Sequence, residues 1–264
     1  MQLRQLSSRL KTSGQAREAL DFPRLAPNHL VFAVGDIHGA FGPLSRLLAK
    51  AAFTPTGVDD TTAKKRLVFL GDYIDRGERS EAVLSALFVA NCEFPDRVIC
   101  LQGNHEQMLL GFLDNPFEWG NTWLTNGGLQ TLASFGVGEI CETSKGNDLL
   151  RARDALHAKM PAGMEAWLRQ LPKFWQSGNL LLTHAGANPD RPIVEQDPDD
   201  LVWGCPEFLQ YPRRDGLWVA HGHNVVGHPS ASNGRVSIDS GAYMTGTLSL
   251  AIIHPNGDLK FITS

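Results

Sequence analysis

A short apolar run that ends in a polar, glycine-containing loop and is followed by a helical segment occurs three times in the first part of the chain. The apolar runs cover residues 30–34, 67–70 and 98–101. Runs of this length with turn residues after them are typical of buried strands. Because strand, loop and helix alternate, this half of the chain is predicted to form an α/β sheet of largely parallel strands.

The second half of the chain returns to strands after a middle region, residues 109–175, that is predicted to be mostly helical. Asn256 and Gly257 mark a tight hairpin turn between the last two runs. We expect the last three runs to form a meander and this half to supply a second, strand-rich sheet. The apolar runs cover residues 179–183, 217–220, 236–239, 248–253 and 259–262.

The composition is that of an ordinary globular protein, with 42% hydrophobic and 20% charged residues in 264, and one domain is the default for this length. The net charge of −4 disfavours a nucleic-acid-binding protein, which would need a basic surface. No run of 18 apolar residues predicts a membrane-spanning helix. The four cysteines show no C-x-x-C spacing and the start lacks a signal-peptide core, so a reduced, cytoplasmic protein is expected. The oligomeric state stays open.

Residues 1–28 are predicted to be an N-terminal extension, and residues 29–264 to be the catalytic domain. Leu3, Leu6 and Leu10 fit one face of a short helix, and two prolines close the segment. A loosely packed extension is favoured over a partner-binding helix.

Five loops that follow predicted strands share glycine and a polar residue that can bind a metal or a phosphate. Oxygen and imidazole ligands without thiolates suit divalent Mn, Fe or Zn. Carboxylates packed this closely would repel one another unless cations neutralised them. Two metal ions about 3.5–4 Å apart, bridged by one carboxylate, would do so. The polar residues are Asp36, His38, Asp72, Asp75, Arg76, Asn104, His105, His184 and His223.

These loops carry a family resemblance. Residues 35–39 (GDIHG), 71–77 (GDYIDRG) and 103–106 (GNHE) resemble the three signature blocks of the phosphoprotein phosphatase branch of calcineurin-like metallophosphoesterases. Residues 184–186 and 222–223 resemble its two later histidine blocks, and the group typified by lambda phosphatase of bacteria and phages is the most similar. The implied fold is two mixed β-sheets packed face to face and flanked by helices.

A further stretch, residues 123–128 followed by Thr131 and Leu132, resembles a segment of the same group.

The resemblance also implies roles for the metal ligands. Two divalent ions, with manganese first and iron or zinc as alternatives, would share one bridging carboxylate, and a bridging hydroxide would attack the phosphorus. Asp36 and His38 would hold the first ion, Asp72 would bridge both, and the second would be completed by Asn104, His184 and His223.

Four residues would act on the substrate. His105 would give a proton to the leaving oxygen, oriented by Asp75. Arg76 would clamp phosphate oxygens in a bidentate fork, and Asn104 would also reach a phosphate oxygen. Glu106 is expected to support the loop.

One position departs from the pattern, because Cys205 stands where this group often carries an arginine shortly after a tryptophan. A second phosphate clamp is therefore absent there. Arg213 or Arg214 could replace it, although surface charge is the favoured interpretation of both. Cys205 is not expected to be a nucleophile, since no activating base lies next to it in the sequence.

The function predicted from the sequence is a phosphomonoesterase, with phosphoserine or phosphothreonine in proteins as the leading substrate. The alternative is hydrolysis of dinucleoside polyphosphates or inorganic polyphosphate. Symmetrically cleaving diadenosine tetraphosphate hydrolases tend to carry Gln where His38 stands, which points away from them. A non-catalytic binding module is disfavoured, since every expected metal position is present.

Aromatic residues near the loops have two interpretations. Phe117, Trp119 and Trp123 could cap the site or stack on a base, although core packing is more usual at this spacing. Tyr243 could line the cleft.

Overall fold

The computed structural model describes residues 22–56 and 64–264, and within them it contains ten strands and ten α-helices. The strands are β1 (Leu30–Val34), β2 (Lys65–Phe69), β3 (Val98–Cys100), β4 (Phe174–Ser177), β5 (Leu180–Thr183), β6 (Trp218–His221), β7 (Ser230–Ser232), β8 (Arg235–Ser237), β9 (Ser249–Ile253) and β10 (Leu259–Thr263). The helices are α1 (Phe41–Ala52), α2 (Ser80–Glu93), α3 (Asn104–Asp114), α4 (Pro116–Trp123), α5 (Leu129–Ser134), α6 (Asn147–Lys159), α7 (Met164–Gln170), α8 (Pro198–Trp203), α9 (Pro206–Gln210) and α10 (Ala242–Thr245).

The strands form two mixed sheets of five. The first has the order β10-β9-β1-β2-β3, and its β1, β2 and β3 run parallel. The second has the order β4-β5-β6-β8-β7, and its β5, β6 and β8 run parallel. Each sheet therefore carries three parallel strands whose carboxyl ends lie at one edge.

Side-chain alternation along the strands divides the core into layers. Val31 and Ala33 of β1 join Leu180 and Leu182 of β5 in an apolar cluster between the sheets. The other face of β1 packs with helices α1 to α7, and the other face of β5 packs with α8 and α9 through Leu181. The predicted fold class, two mixed sheets packed face to face between helices, is confirmed.

The predicted meander is wrong. β8 lies in the second sheet, whereas β9 and β10 form a hairpin that joins the first sheet beside β1. All five residues of β9 are buried, so this strand has to lie inside a sheet that is covered on both faces. The Asn256–Gly257 turn is where the sequence predicts it, since Gly257 N–H donates to His254 O as the chain reverses.

The start of the described chain packs on the second sheet. The rings of Phe22 and Trp218 meet edge to face at 5.4 Å, and Leu25 is buried in the inter-sheet cluster. The helix predicted around Leu3 to Leu10 lies outside the described residues, and the domain boundary at residue 28 stays a prediction. No helix in the described ranges has both the length and the apolar character needed to cross a membrane.

Candidate active site

The loops that follow β1, β2, β3, β5 and β6 meet at one edge of the two sheets, where ligands bind in α/β proteins. Hydrogen bonds join the loops of the two sheets at this edge. His184 Nδ1 donates to the carbonyl oxygen of Leu70 at 3.0 Å, and the backbone N–H of His223 donates to Asp36 Oδ2 at 3.0 Å. The structure thus brings together residues from both halves of the chain.

Backbone strain is concentrated in these loops. Seven non-glycine residues of the described chain have positive φ, and five of them are predicted site residues. Left-handed backbone is costly for a residue with a Cβ and persists only where surrounding contacts impose it. The five, with their φ angles, are His38 (45°), Asp72 (52°), Asp75 (71°), Arg76 (68°) and His223 (60°).

Two groups of side chains could each hold a metal ion. In one, ligand atoms of His38, Asp72 and His105 lie within 4.8 Å of one another, and in the other Asp72 is joined by His184 and His223. Asp72 belongs to both groups, which is the geometry that a bridging carboxylate requires. Imidazole and carboxylate donors without a thiolate suit a borderline or hard divalent ion.

The imidazoles are oriented by backbone carbonyls. His38 Nδ1 donates to Ile74 O at 2.8 Å, as His184 Nδ1 does to Leu70 O, so each Nε2 faces the site. Burial lowers the pKa of His38 to about 3, which leaves a neutral ring that can bind a metal. Burial also acts to lower the pKa of His184, but the carboxylates of Asp72 and Asp36 raise it to about 10. A divalent ion would take over the positive charge that this proton supplies.

Asp36 and Asn104 fit a metal centre in different ways. Asp36 is buried, and its Oδ1 has no hydrogen-bond partner among the residues that the structure describes, so a cation there would satisfy it. Asn104 presents its amide oxygen to the site, because Oδ1 lies 3.0 Å from His184 Nε2. An oxygen in this position is available as a metal ligand.

Asp239 is absent from the predicted set of site residues. It is buried shortly after β8, and burial followed by the charge of Asp239 raises the pKa of Asp36 well above its usual value. The sequence feature that could have identified Asp239 as a site residue is its position at the end of an apolar run, close to where Asp36 and Asp72 stand after theirs. Asp239 is a further buried carboxylate, and it adds to the negative charge that cations at this edge would neutralise.

His105 and Asp75 form a close pair. His105 Nδ1 lies 2.6 Å from Asp75 Oδ2, and His105 Nε2 lies 3.8 Å from Asp72 Oδ2. Burial acts to lower the pKa of His105, but Asp72 and Asp75 raise it above its usual value. The ring can therefore carry a proton at the edge of the metal-binding groups.

Glu106 supports the loops, as expected. Its carboxylate accepts backbone N–H bonds from Asp72 at 2.9 Å, Tyr73 at 2.8 Å and Gly103 at 2.9 Å. The start of α3 and the loop after β2 are thereby fixed to one another.

Arg76 lies over the first metal-binding group. Its Nη1 is 3.3 Å from His38 Nε2, and its guanidinium stacks over the ring of Tyr243 at 4.9 Å. Tyr243 in turn meets the His38 ring edge to face at 5.2 Å, so it borders the site. An arginine held here can reach phosphate oxygens bound beside the metals.

Arg213, one of the two arginines considered as a second clamp, is held by contacts away from the metal-binding groups. Arg213 is buried, so the surface-charge interpretation of it is wrong; it pairs with Asp215 and donates to the carbonyls of Asn188 and Arg191. Arg214 is exposed. Cys205 is the N-cap residue that precedes α9, and burial raises the pKa of its thiol, which disfavours a nucleophilic thiolate.

The three aromatic residues considered as a cap over the site differ in burial and in their contacts. Trp123 is fully buried and donates from Nε1 to Asp75, and Trp119 packs against Gly111 of α3. Phe117 is exposed. His221 shares a hydrogen bond with Ser237 Oγ at 2.9 Å and is not part of either metal-binding group.

The chain belongs to the calcineurin-like phosphoesterase family, whose model matches residues 29–226. The protein is a metal-dependent phosphoesterase, and the family is dinuclear-metal dependent. The chain is 28% identical over 223 residues to the asymmetrical bis(5'-nucleosyl)-tetraphosphatase PrpE of Bacillus subtilis (strain 168), covering 79% of this chain and 84% of that protein.

Solved structures share the fold at lower identity. A structure described as a candidate diadenosine tetraphosphatase is 20% identical with a TM-score of 0.60, covering 92% of this chain and 99% of the other. A protein serine/threonine phosphatase from Saccharomyces cerevisiae is 15% identical with a TM-score of 0.54, covering 90% and 80%. At these identities the likeness shows the fold alone.

Proposed function

We propose that this enzyme hydrolyses dinucleoside polyphosphates, and that it cleaves them asymmetrically. The observation that carries the proposal is the similarity to PrpE, which extends over most of both chains. PrpE is named for this activity. The residue at position 38 agrees with it, since the symmetrically cleaving group tends to carry Gln there and this chain has His38.

The chain's own residues would hold two divalent ions, with manganese as the first choice to test. When bound, the ions would supply a water of lowered pKa and would polarise the phosphoryl group. Asp72 would contact both ions because it belongs to both groups. The proposed ligands are Asp36, His38, Asp72, Asn104, His184 and His223.

Arg76 would orient the phosphoryl group, together with the amide of Asn104. Arg213 is occupied by Asp215 and two backbone carbonyls, so it supplies no second clamp. An internal phosphoryl group of a polyphosphate has two non-bridging oxygens, whereas a phosphomonoester has three. A single arginine therefore suits an internal phosphoryl group.

His105, oriented by Asp75, would donate a proton to the leaving oxygen. This pair also favours a second candidate function, the hydrolysis of phosphoserine or phosphothreonine in proteins. A serine alkoxide is a far poorer leaving group than a nucleotide phosphate, so it benefits more from an acid held 2.6 Å from its orienting carboxylate.

The test is product analysis with added manganese. Diadenosine tetraphosphate, tripolyphosphate and a phosphoserine peptide are compared at equal concentration, and the nucleotides are separated by chromatography. We expect ATP and AMP as products, with the dinucleotide turned over fastest.

Two ADP molecules as products would contradict asymmetric cleavage. Faster release from the peptide would favour the protein phosphatase, and faster release from tripolyphosphate would favour a general anhydride hydrolase. An Asp72→Asn variant is the control for contaminating phosphatases.

A further inference from the structure

Residues 123–131 form a segment that packs directly on the loop carrying Asp75 and Arg76. The segment, called here the brace, runs from the last residue of α4 through a kinked turn at Leu124–Gly128, where Gly127 has non-helical backbone angles, into α5. The same stretch stands out in the sequence and has no role in the chemistry described above.

The brace holds the carboxylate of Asp75. Trp123 Nε1 donates to both oxygens, at 3.1 and 3.0 Å, and Thr131 Oγ1 donates to Oδ1 at 2.6 Å. All three side chains are fully buried. With these donors in place, the carboxylate has one orientation, and its Oδ2 is directed at His105 Nδ1.

The brace also holds the backbone of Arg76. Gly127 O accepts the N–H of Arg76 at 3.2 Å, and a Cβ at Gly127 would lie 2.5 Å from that same nitrogen. Gly127 has a φ of 102°, so both its backbone conformation and the available space require glycine. Asp75 and Arg76 themselves have positive φ, and such strained backbone needs support from outside its own loop.

We propose that Trp123, Thr131 and Gly127 are positioning residues for the phosphoester reaction. Trp123 and Thr131 orient Asp75 and, through it, the proton-donating ring of His105, while Gly127 sets the place of Arg76. The inference rests on the proposed function in so far as His105 is the acid of that reaction. The two parts of the brace should therefore have different effects: Trp123 and Thr131 on proton donation by His105, and Gly127 on phosphate binding by Arg76.

Thr131→Val separates orientation from packing. Valine keeps the shape of threonine but removes the donor to Asp75. The backbone N–H of Asp75 donates to Thr131 Oγ1 at 2.9 Å and to Ser80 Oγ at 3.1 Å. It therefore keeps Ser80 as an acceptor when Thr131 is replaced by valine. Thr122→Val makes the same chemical change at an exposed position of α4 and is the matched control.

The kinetic test uses manganese-loaded enzyme and a series of aryl phosphates whose leaving groups differ in pKa. Outer contacts of an active site typically contribute about 10–100-fold to activity. We expect Thr131→Val to lower kcat by roughly tenfold or more for the poorest leaving group, and much less for p-nitrophenol. Thr131→Ser should restore the wild-type pattern, and Gly127→Ala should act mainly on KM, since it displaces Arg76.

A second measurement does not depend on turnover. The proton on His105 Nδ1, shared with Asp75, should give a downfield NMR resonance that His105→Asn removes. We expect Thr131→Val to shift this resonance and Thr122→Val to leave it in place, with manganese binding unchanged in both. If Thr131→Val does not fold, Trp123→Phe is measured instead, because it also removes a donor to Asp75.

An equal loss of kcat for all leaving groups, or no loss, would overturn the inference, as would an unshifted resonance. If the wild-type enzyme hydrolysed none of these substrates, including diadenosine tetraphosphate, the proposed function would fail, while the resonance would still test the brace.

Discussion

Asp72 is the residue at which the two metal-binding groups join. Its side chain lies within reach of ligand atoms from His38 and His105 on one side and from His184 and His223 on the other. Its backbone takes a φ of 52°, and its N–H is held by Glu106. A carboxylate that is fixed in this way can serve two ions without moving.

Asp72→Asn should weaken metal binding at both sites together, because the amide keeps the shape but loses the charge that both ions share. The loss of affinity should exceed the roughly 10–100-fold that a missing outer contact costs. Calorimetric titration with manganese measures both sites. Asp190→Asn at an exposed position is the matched control, and retention of one full-affinity site would contradict a bridging role.

His105 has two interpretations that a single variant separates. It lies in a metal-binding group with His38 and Asp72, and it is also paired with Asp75. If it is the acid, His105→Asn should keep both metal ions and lower turnover by roughly 10²–10⁴-fold, most severely for poor leaving groups. Metal content and kcat are measured on the same sample, and a lost metal ion would make His105 a ligand instead.

Helix α3 is the element that fixes the site to the first sheet. It begins at Asn104 directly after β3, and its first turn supplies Asn104, His105 and Glu106. Glu106 accepts N–H bonds from Gly103 and from the loop after β2, so the end of one strand is tied to the end of the next. Its carboxylate also lies near the positive end of the helix dipole.

The loop before β6 is held by a buried arginine. Arg213 pairs with Asp215, and burial acts to raise the pKa of Asp215 while Arg213 lowers it below its usual 3.8. Because the folded state binds this proton more weakly than the unfolded state, the pair stabilises the fold above pH 3.8. That stabilisation is lost as the pH falls through the lowered pKa.

Asp215→Asn should therefore lower the free energy of unfolding at pH 7 by about 1–3 kcal/mol, since it weakens bonds to a charged, buried group. The difference from wild type should shrink as the pH falls below 3.8. Urea unfolding at pH 7 and at acidic pH measures both values. A difference that stayed constant with pH would show that the ion pair is not its cause.

In the molecule as a whole, the active site depends on two sheets being held at a fixed separation. The apolar cluster between them includes Leu182 of β5, two residues before His184. Packing in this layer sets the position of the histidine ligands relative to Asp36 and Asp72, because those acids follow strands of the other sheet.

Leu182→Ala should lower the free energy of unfolding by about 2–5 kcal/mol, because it leaves a cavity between the sheets. Val194→Ala is the control, since Val194 is 92% exposed and its truncation should change stability by no more than about 0.5 kcal/mol. Both are measured by urea unfolding, and equal effects would show that the inter-sheet layer relaxes around the cavity.

Much of the fold and of the candidate site follows from local patterns. Apolar runs of four to six residues followed by glycine identify strand ends, because burial and sharp turns each require particular residue types. Asp36, Asp72 and His184 are placed at the metal-binding edge for that reason. Their roles as ligands stay predictions.

Contacts between distant parts of the chain were decided only by the tertiary structure. Asp36 and His223 are 187 residues apart and share a hydrogen bond, β9 joins the first sheet rather than the second, and Thr131 reaches Asp75. Arg213 is buried in a loop although its sequence surroundings indicate surface charge. The physical reason is that local sequence encodes burial and turning, whereas strand pairing and side-chain partners depend on which surfaces meet after the chain has folded.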